Sequence, residues 1–378
     1  MRVTVAMDSF KGSLTSLAAG SAVKKGILRA IPDAEVTVRP LADGGEGTVA
    51  ALAAGLGGQP VQVTVAGPRL APVCATYCRI GKDTAVIEMA AAAGLPLLSP
   101  DQQDPMVTTT LGVGQLIAHA ISAGCRRFII GIGGSATNDG GTGMLSALGF
   151  SFLDADGMPI PPGARGLEKL HSIRTDDALS QLAQCTFEIA CDVTNPLCGS
   201  NGCSAVFAPQ KGAAPADIPK MDLWLERYAA LTKQLYPHAD KNHPGAGAAG
   251  GMGFAFLSYL NATLQPGSYI IARLTELDRY IAGADIVITG EGRMDGQSVL
   301  GKAPMAVAAL GKKHGKQVIA FCGCATEDAD ICLAHGIDAY YPVIRQTPPP
   351  PEALLPENAY NNLLQCVCRV FRQLPQER

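Results

Sequence analysis

The spacing of apolar and polar positions changes character along the chain. Val3 to Met7 is a short apolar run, Leu14 to Ile31 has helical spacing, Glu35 to Leu41 alternates, and Thr48 to Leu56 is Ala-rich and helical. Strand, helix, strand, helix is the sequence sign of a parallel sheet. The pattern returns near the end, where Asp285 to Thr289 reads as a buried strand, Pro304 to His314 as a helix, and Gln317 to Cys322 and Ala339 to Ile344 as strands. Two separated stretches are therefore expected to share one sheet. About 200 residues of different texture lie between them, with a helix from Thr110 to Ala123, a strand from Arg127 to Ile132 and a helix near Met144 to Leu148. A further helix is expected from Ile218 to Tyr236, where Met221, Trp224, Leu225, Tyr228, Leu231 and Leu235 form one apolar stripe. This middle reads as an inserted second domain. Beyond Pro348 to Pro351, residues Leu363, Leu364, Val367, Val370, Phe371 and Leu374 define a terminal amphipathic helix. Its polar face is not strongly basic, so packing against the sheet is expected rather than membrane binding.

Composition narrows the function. The 378 residues carry a net charge of −3 with 17% charged residues, so no basic field exists to hold nucleic acid or an anionic membrane. The 43 Gly and 26 Pro, about 18% of the chain, with 5% aromatics, suit a loop-rich α/β enzyme. No run of about 18 apolar residues occurs, and Asp8 interrupts the N-terminus before a signal-peptide core accumulates. A soluble, cytoplasmic protein is expected. The 12 cysteines are read as reduced, and their close pairs (Cys74 and Cys78, Cys198 and Cys203, Cys322 and Cys324) lack the second arm of a zinc site.

The chemistry is concentrated in four polar, Gly-rich strings that each follow a predicted strand, where open parallel sheets place ligands. They are DSFKGSLTS (Asp8 to Ser16), ADGGEGT (Ala42 to Thr48), GIGGSATNDGGTG (Gly131 to Gly143) and TGEGRMDGQS (Thr289 to Ser298). The third suits a phosphate cradle, combining Gly133 and Gly134 with Ser135, Thr137 and Asn138 before a helix; a tight turn with a capped helix is its bland alternative. It is not a dinucleotide fingerprint, because position 136 is Ala. GQSVLGKA (Gly296 to Ala303) matches GxxxxGK but has Ala303 where a magnesium-binding hydroxyl belongs, and a helix start at Pro304 is the preferred reading.

Asp8, Asp43, Glu46, Asp139, Asp192, Glu291 and Asp295 lie in or near such loops. Each alone is as well explained by a cap or an Asx turn. As a set they suit phosphoryl transfer, which needs carboxylates for Mg²⁺ and a hydroxyl proton, with cations facing the phosphates. The cations nearby are Lys11, Lys211, Arg293 and Lys302. GAAGGMG (Gly247 to Gly253) is either a hinge or tight helix entry, or a backbone surface for a nucleotide. Neither an HExxH pair nor a GxSxG elbow is present.

Taken together, DSFKGS, ADGGEGT, GIGGSATNDGG, NPLCG, PQKGA, GAAGG and TGEGRMDGQS occur in the order seen in the bacterial type I D-glycerate kinases, which the chain resembles from end to end. Ala208 and Cys203 are small departures from that family's usual residues. The resemblance implies a flavodoxin-like α/β domain built from both chain ends (1–68 and 287–378), with a second α/β domain inserted (69–286) and the active site in the cleft between them. It also implies a monomer or homodimer that phosphorylates D-glycerate with ATP and Mg²⁺. Transfer to the 2-hydroxyl, rather than the 3-hydroxyl, rests on the resemblance alone. Under this reading Asp8, Ser9, Lys11, Asp43 and Arg293 bind substrate, with Lys11 or Arg293 meeting the carboxylate. Gly133, Gly134, Ser135, Thr137 and Asn138 bind the nucleotide, and Asp43, Glu46 and Glu291 are metal candidates. Asp192, ahead of Asp295, is the expected base, and Lys11 and Lys211 complete the catalytic set, Lys211 for transition-state charge. An NAD-dependent hydroxy-acid oxidoreductase and a non-catalytic phosphate-ligand module are the alternatives from other classes.

Overall fold

A computed structural model describes residues 1–39, 41, 56–299, 302–346 and 349–374. In chain order its strands are β1 (Arg2–Met7), β2 (Glu35–Val38), β3 (Gln59–Ala66), β4 (Pro72–Ile80), β5 (Thr84–Glu88), β6 (Arg127–Gly131), β7 (Ser151–Leu153), β8 (Ser172–Arg174), β9 (Thr186–Ala190), β10 (Thr263–Gln265), β11 (Ile286–Met294), β12 (Gln317–Ala325) and β13 (Ala339–Pro342). The backbone forms two compact units, one chiefly from Met1–Asp43 and Ser268–Arg378, the other chiefly from Gly57–Gly267.

The first unit holds a five-stranded sheet in the order β13-β12-β11-β1-β2, all pairs parallel. Counted within the unit alone, this is the order 2-1-3-4-5 of a flavodoxin-like doubly wound sheet. Central strands with helices on both faces must be apolar on both sides, which is why β1 reads as a continuous run rather than an alternation. Val3, Val5, Met7, Ile288, Ile319 and Phe321 pack with the helices Ser16–Ala30 and Pro356–Gln373. On the other face, Thr4 Oγ1 donates to the Tyr280 carbonyl at 3.0 Å, and Val318 lies under Gly311 of the helix Ala303–Lys313. The terminal helix thus closes the core beside the first helix, and Phe371 is fully buried in it.

The second unit holds a mixed six-stranded sheet, β10-β9-β6-β5-β4-β3. Its strands β5, β6, β9 and β10 run parallel, while β3 and β4 add antiparallel pairs. Its core gathers Phe128, Phe187, Phe254, Phe256 and Tyr228 under the helices Leu111–Ser122, Ile218–Leu235 and Ala248–Tyr259.

Several expectations are adjusted by these contacts. The hairpin of β3 and β4 escapes the spacing argument, although Val61, Val63 and Val65 alternate as a half-buried strand should. β3 pairs with β4 in the second sheet, so residues 59–66 lie in the second unit. Its far limit is Gly267 rather than 286, since the helices Gly267–Leu274 and Leu277–Gly283 lie chiefly in the first unit, where Arg39 stacks on Tyr280 at 3.6 Å. β11 runs five residues past Thr289, held by the register Glu291↔Cys322, Arg293↔Cys324 and Met294↔Ala325. The string read as a loop is therefore largely strand. The apolar stripe of the helix at 218–235 is buried through Tyr228, but Leu235 is exposed in its last turn. The helix expected at Thr48 to Leu56 lies outside the described residues, apart from Leu56.

Replacing Phe371 with Ala removes the aromatic plug of the terminal helix, and a loss of about 3–5 kcal/mol is expected from the buried volume vacated. Urea denaturation followed by circular dichroism checks it; an unchanged midpoint would show that the helix does not complete the core.

Candidate active site

In an open parallel sheet the chain leaves neighbouring strands in opposite directions at one point, and the crevice beyond the carboxyl ends there accepts ligands. In the first unit that point lies between β1 and β11. Asp8, Ser9 and Lys11 follow β1, while Glu291 and Arg293 end β11 and Asp295 follows it. The two segments are stitched together: the Asp8 amide donates to the Gly290 carbonyl at 2.9 Å, and Asp8 Oδ1 accepts from the Ser9 amide at 2.7 Å. A Cβ at 292 would stand 3.1 Å from Phe10 Cα and 3.3 Å from the Lys11 nitrogen, so this loop lies close on the strand and would have to give by a few tenths of an ångström for any larger residue. Two sequence strings about 280 residues apart thereby meet.

A polar network fills the end of β11. Glu291, 5% exposed, accepts from Ser298 Oγ at 2.6 Å and pairs with Lys302 Nζ at 3.2 Å. Lys302 Nζ also reaches Asp295 at 3.3 Å, and Arg293 Nε lies 3.4 Å from the other Asp295 oxygen. Burial pushes the Glu291 carboxyl up from its ordinary value, opposed by Ser298 and Lys302. The Gly296 amide donates to Asp328 at 2.9 Å, fixing the turn. Ser298 and Asp328 were not singled out by sequence. The signal for Ser298 was its place three residues after Asp295, where its hydroxyl accepts from the Asp295 amide at 3.1 Å; Asp328 had none, because its partner lies 32 positions away. Lys302, one of the four candidate cations although its GxxxxGK match reads as a helix start, binds two of the candidate carboxylates.

The second unit presents its own carboxyl edge. The loop after β6 runs beside 93–95, with the Leu95 amide donating to Gly134 and the Ala136 amide to Ala93, both at 2.9 Å. Gly133 and Gly134 are exposed, while Thr137 and Asn138 are fully buried. The surface of this loop is therefore backbone. Behind it Lys211, 2% exposed, donates to Ser135 Oγ and to the Thr137 carbonyl, both at 2.7 Å. Burial lowers the Lys211 ammonium from the ordinary 10.5 to about 8, opposed by Cys203 and Asp139. Its ammonium thus braces the loop from inside rather than standing in an open site.

Asp139 has the same character. It is fully buried and accepts from the Thr110 amide at 2.8 Å, Thr110 Oγ1 at 2.9 Å and the Gly141 amide at 3.0 Å. GAAGGMG proves to be tight helix entry: Ala249, Gly250 and Gly251 all have positive φ, and the Gly140 amide donates to Gly250 at 2.9 Å. A Cβ at 250 would fall 2.1 Å from the Thr137 carbonyl oxygen, so this glycine permits the loop's backbone to pack. Asp192 is different. It is exposed at the end of β9, the strand beside β6, and accepts from the Gly267 amide at 3.1 Å.

Asp8, Ser9, Lys11, Glu291, Arg293 and Asp295 are thus gathered in the first unit, and the 133–138 loop, Lys211 and Asp192 in the second. Asp43 and Glu46 lie outside the described residues. Among the described residues no group of three or more His, Cys, Asp or Glu converges as a metal site. No described helix is long and apolar enough to cross a membrane.

A flavodoxin-like sheet with a carboxylate and lysine network at its switch point, joined in one chain to a second α/β unit, marks an enzyme of small-molecule chemistry. The model of the glycerate kinase family matches residues 3–375. Among similar proteins, the glycerate 2-kinase of Escherichia coli is 44% identical over 99% of this chain and 97% of its own. The glycerate kinase of Haemophilus influenzae is 44% identical over 92% of both chains, and that of Bacillus subtilis 41% identical over 99% and 97%. A solved crystal structure from Salmonella typhimurium superposes with a TM-score of 0.90 at 44% identity, covering 99% of this chain and 98% of the other. The chain belongs to the glycerate kinase family.

The depressed Lys211 gives a signed prediction. Between pH 8 and 10.5 the unfolded chain keeps a proton that the folded lysine has released, so stability contributed at this site rises with pH across that window. The stability difference between wild type and Lys211→Met should grow by about 3 kcal/mol from pH 8 to 10.5, measured by urea unfolding at each pH. A pH-independent difference would show that Lys211 is not held in this buried state.

Proposed function

We propose that this protein transfers the γ-phosphoryl group of ATP to the 2-hydroxyl of D-glycerate, yielding 2-phospho-D-glycerate and ADP. The observation that carries the reading is the convergence of Asp8, Lys11, Glu291, Arg293 and Asp295 at the switch point of a sheet whose chain belongs to the glycerate kinase family. The choice of the 2-hydroxyl follows the name of the Escherichia coli relative.

The proposed roles follow from exposure and charge. Lys11 or Arg293 meets the glycerate carboxylate, since both are exposed cations beside the switch point. Asp8 and Ser9 are proposed to bind the substrate's hydroxyl groups. The backbone of Gly133 and Gly134, with Ser135, takes the phosphates of ATP. Lys211, bonded to Ser135 and the Thr137 carbonyl, acts by holding that loop in shape, and its charge is felt through it. Thr137 and Asn138 contribute as buried supports of the same loop.

Asp192, exposed on the carboxyl edge beside the loop's own strand, orients the attacking hydroxyl and accepts its proton. Asp295 is the second choice, because Lys302 and Arg293 already share its two oxygens. Oxygen donors suit Mg²⁺, which takes one or two carboxylates together with substrate phosphates; Glu291 is one such donor, and Asp43 and Glu46, which lie outside the described residues, are the other candidates. Bound there, the ion would neutralise phosphate charge. The reading also assigns the protein to the cytoplasm, as a monomer or homodimer with a small-molecule substrate and no nucleic-acid or membrane partner.

A coupled assay of ADP formation with Mg-ATP and D-glycerate, with the product identified by ³¹P NMR, tests the reaction; a 3-phosphoglycerate signal would keep the kinase and overturn the regiochemistry. Asp192→Asn should lower kcat by about 10²–10⁴-fold with KM for ATP little changed. Wild-type turnover in that variant would move the base to Asp295.

A further inference from the structure

A concave surface of the first unit lies away from the switch point. It is a cavity of about 430 Å³ lined by Arg29, Leu364, Gln365, Cys368, Arg369, Arg372 and Gln373. Arg29 stands in the last turn of the helix Ser16–Ala30, and the other residues belong to the terminal helix. The two helices run side by side in the same direction, since Ser21 Oγ meets Tyr360 OH at 3.1 Å, Gly26 packs on Leu364 and Val367, and Arg29 shares the cavity with residues 364–373. The first helix starts after β1 at the carboxyl edge and returns along the sheet. Its 15 residues span about 22 Å, so the cavity opens toward the opposite edge.

The charge in this cavity is one-sided. Among the described residues three guanidinium groups line it and no carboxylate does. Among the described residues none of the three arginines pairs with an acid; Arg369 touches only the Cys366 sulfur, at 3.7 Å. Basic residues in the last turn of a helix favour its dipole, which accounts for Arg29 and Arg372 taken singly. It does not account for their sharing a cavity with Arg369, because like charges brought together repel. Guanidinium forks match planar or tetrahedral oxyanions bidentately, and the amides of Gln365 and Gln373 add neutral donors. Buried Leu364 and Cys368 give the cavity an apolar floor, and its volume is that of a small-molecule site.

We propose that this cavity binds a small organic polyanion, a compound carrying two or more phosphate or carboxylate groups on a short carbon frame, at a site separate from the switch point. Inorganic pyrophosphate and citrate are the probes for the two sources of that chemistry. Phenylglyoxal labelling of the full chain, read by mass spectrometry, should show Arg29, Arg369 and Arg372 protected together by one probe or both, with Arg174 unaffected. Calorimetric titration should show that Arg369→Gln/Arg372→Gln weakens the protecting probe about tenfold or more, and that the double Lys variant restores only part of the loss. The substituted residues are exposed, and an unchanged circular dichroism spectrum confirms that the variant folds. Protection by pyrophosphate alone assigns a phosphate ligand and by citrate alone a polycarboxylate. Equal labelling with and without both probes, or the same protection by potassium chloride at matched ionic strength, would overturn the proposal. So would a chain ending at Leu374 in which the three arginines label much faster than in the full chain, since the tail would then be their partner.

Discussion

The parallel pairing of β1 with β11 is the constraint on which the first unit depends. Five consecutive register pairs, from Val3↔Ile286 to Met7↔Gly290, join stretches of chain 283 positions apart. Without them β1 and β2 would be a two-stranded fragment, and β11 to β13 another, each with an open edge. The pairing also creates the switch point, because it sets the loop after β1 against the polar end of β11. Catalytic candidates that the chain keeps far apart are brought to one edge by main-chain hydrogen bonds rather than by side-chain attraction.

Burial divides the acidic residues by task. Asp139 sits in the interior and ties the entries of two helices together; burial raises its carboxyl from the ordinary value, opposed by the donors on Thr110 and Gly141. Glu291 stands at the border of the interior, with one hydroxyl and one ammonium as partners. Asp192 is open to solvent. The lysines divide in the same way. Lys211 is interior and braces a loop, whereas Lys302, at 36% side-chain exposure, bridges two carboxylates at the surface. A charged residue in a Gly-rich string is therefore not one kind of evidence, and what separates the cases is the depth at which the fold leaves the group.

That depth is what sequence conveys least. The alternation of strands and helices at both chain ends, and so the shared sheet, could be read because buried parallel strands are short apolar runs bounded by glycine. The motif strings put Asp8, Lys11, Glu291 and Asp295 at or just beyond strand ends, and the fold sets those two ends side by side. What they did not carry was partnership: Asp328 with Gly296, Ser298 with Glu291, and Lys211 with Ser135 are set by tertiary contacts, the last across 76 positions. The end of β11 was misjudged for a related reason. Its Gly-Glu-Gly-Arg run has loop composition, and only β12 alongside keeps it extended. The β3 hairpin was within reach of a period-2 count, whereas Asp43 and Glu46 lie outside the described residues.

The long gap between β1 and β11 also shapes how the protein is born. At about 5–20 residues per second, roughly 15 to 60 seconds of translation separate β1 from the strand that completes it. The whole second unit, Gly57–Gly267, leaves the ribosome in that interval. β1 is apolar on both faces and has only β2 and the first helix to shield it meanwhile. The nascent chain thus carries an unfinished sheet edge through most of its synthesis, a demand on chaperone capacity that a contiguous sheet of the same size would not make.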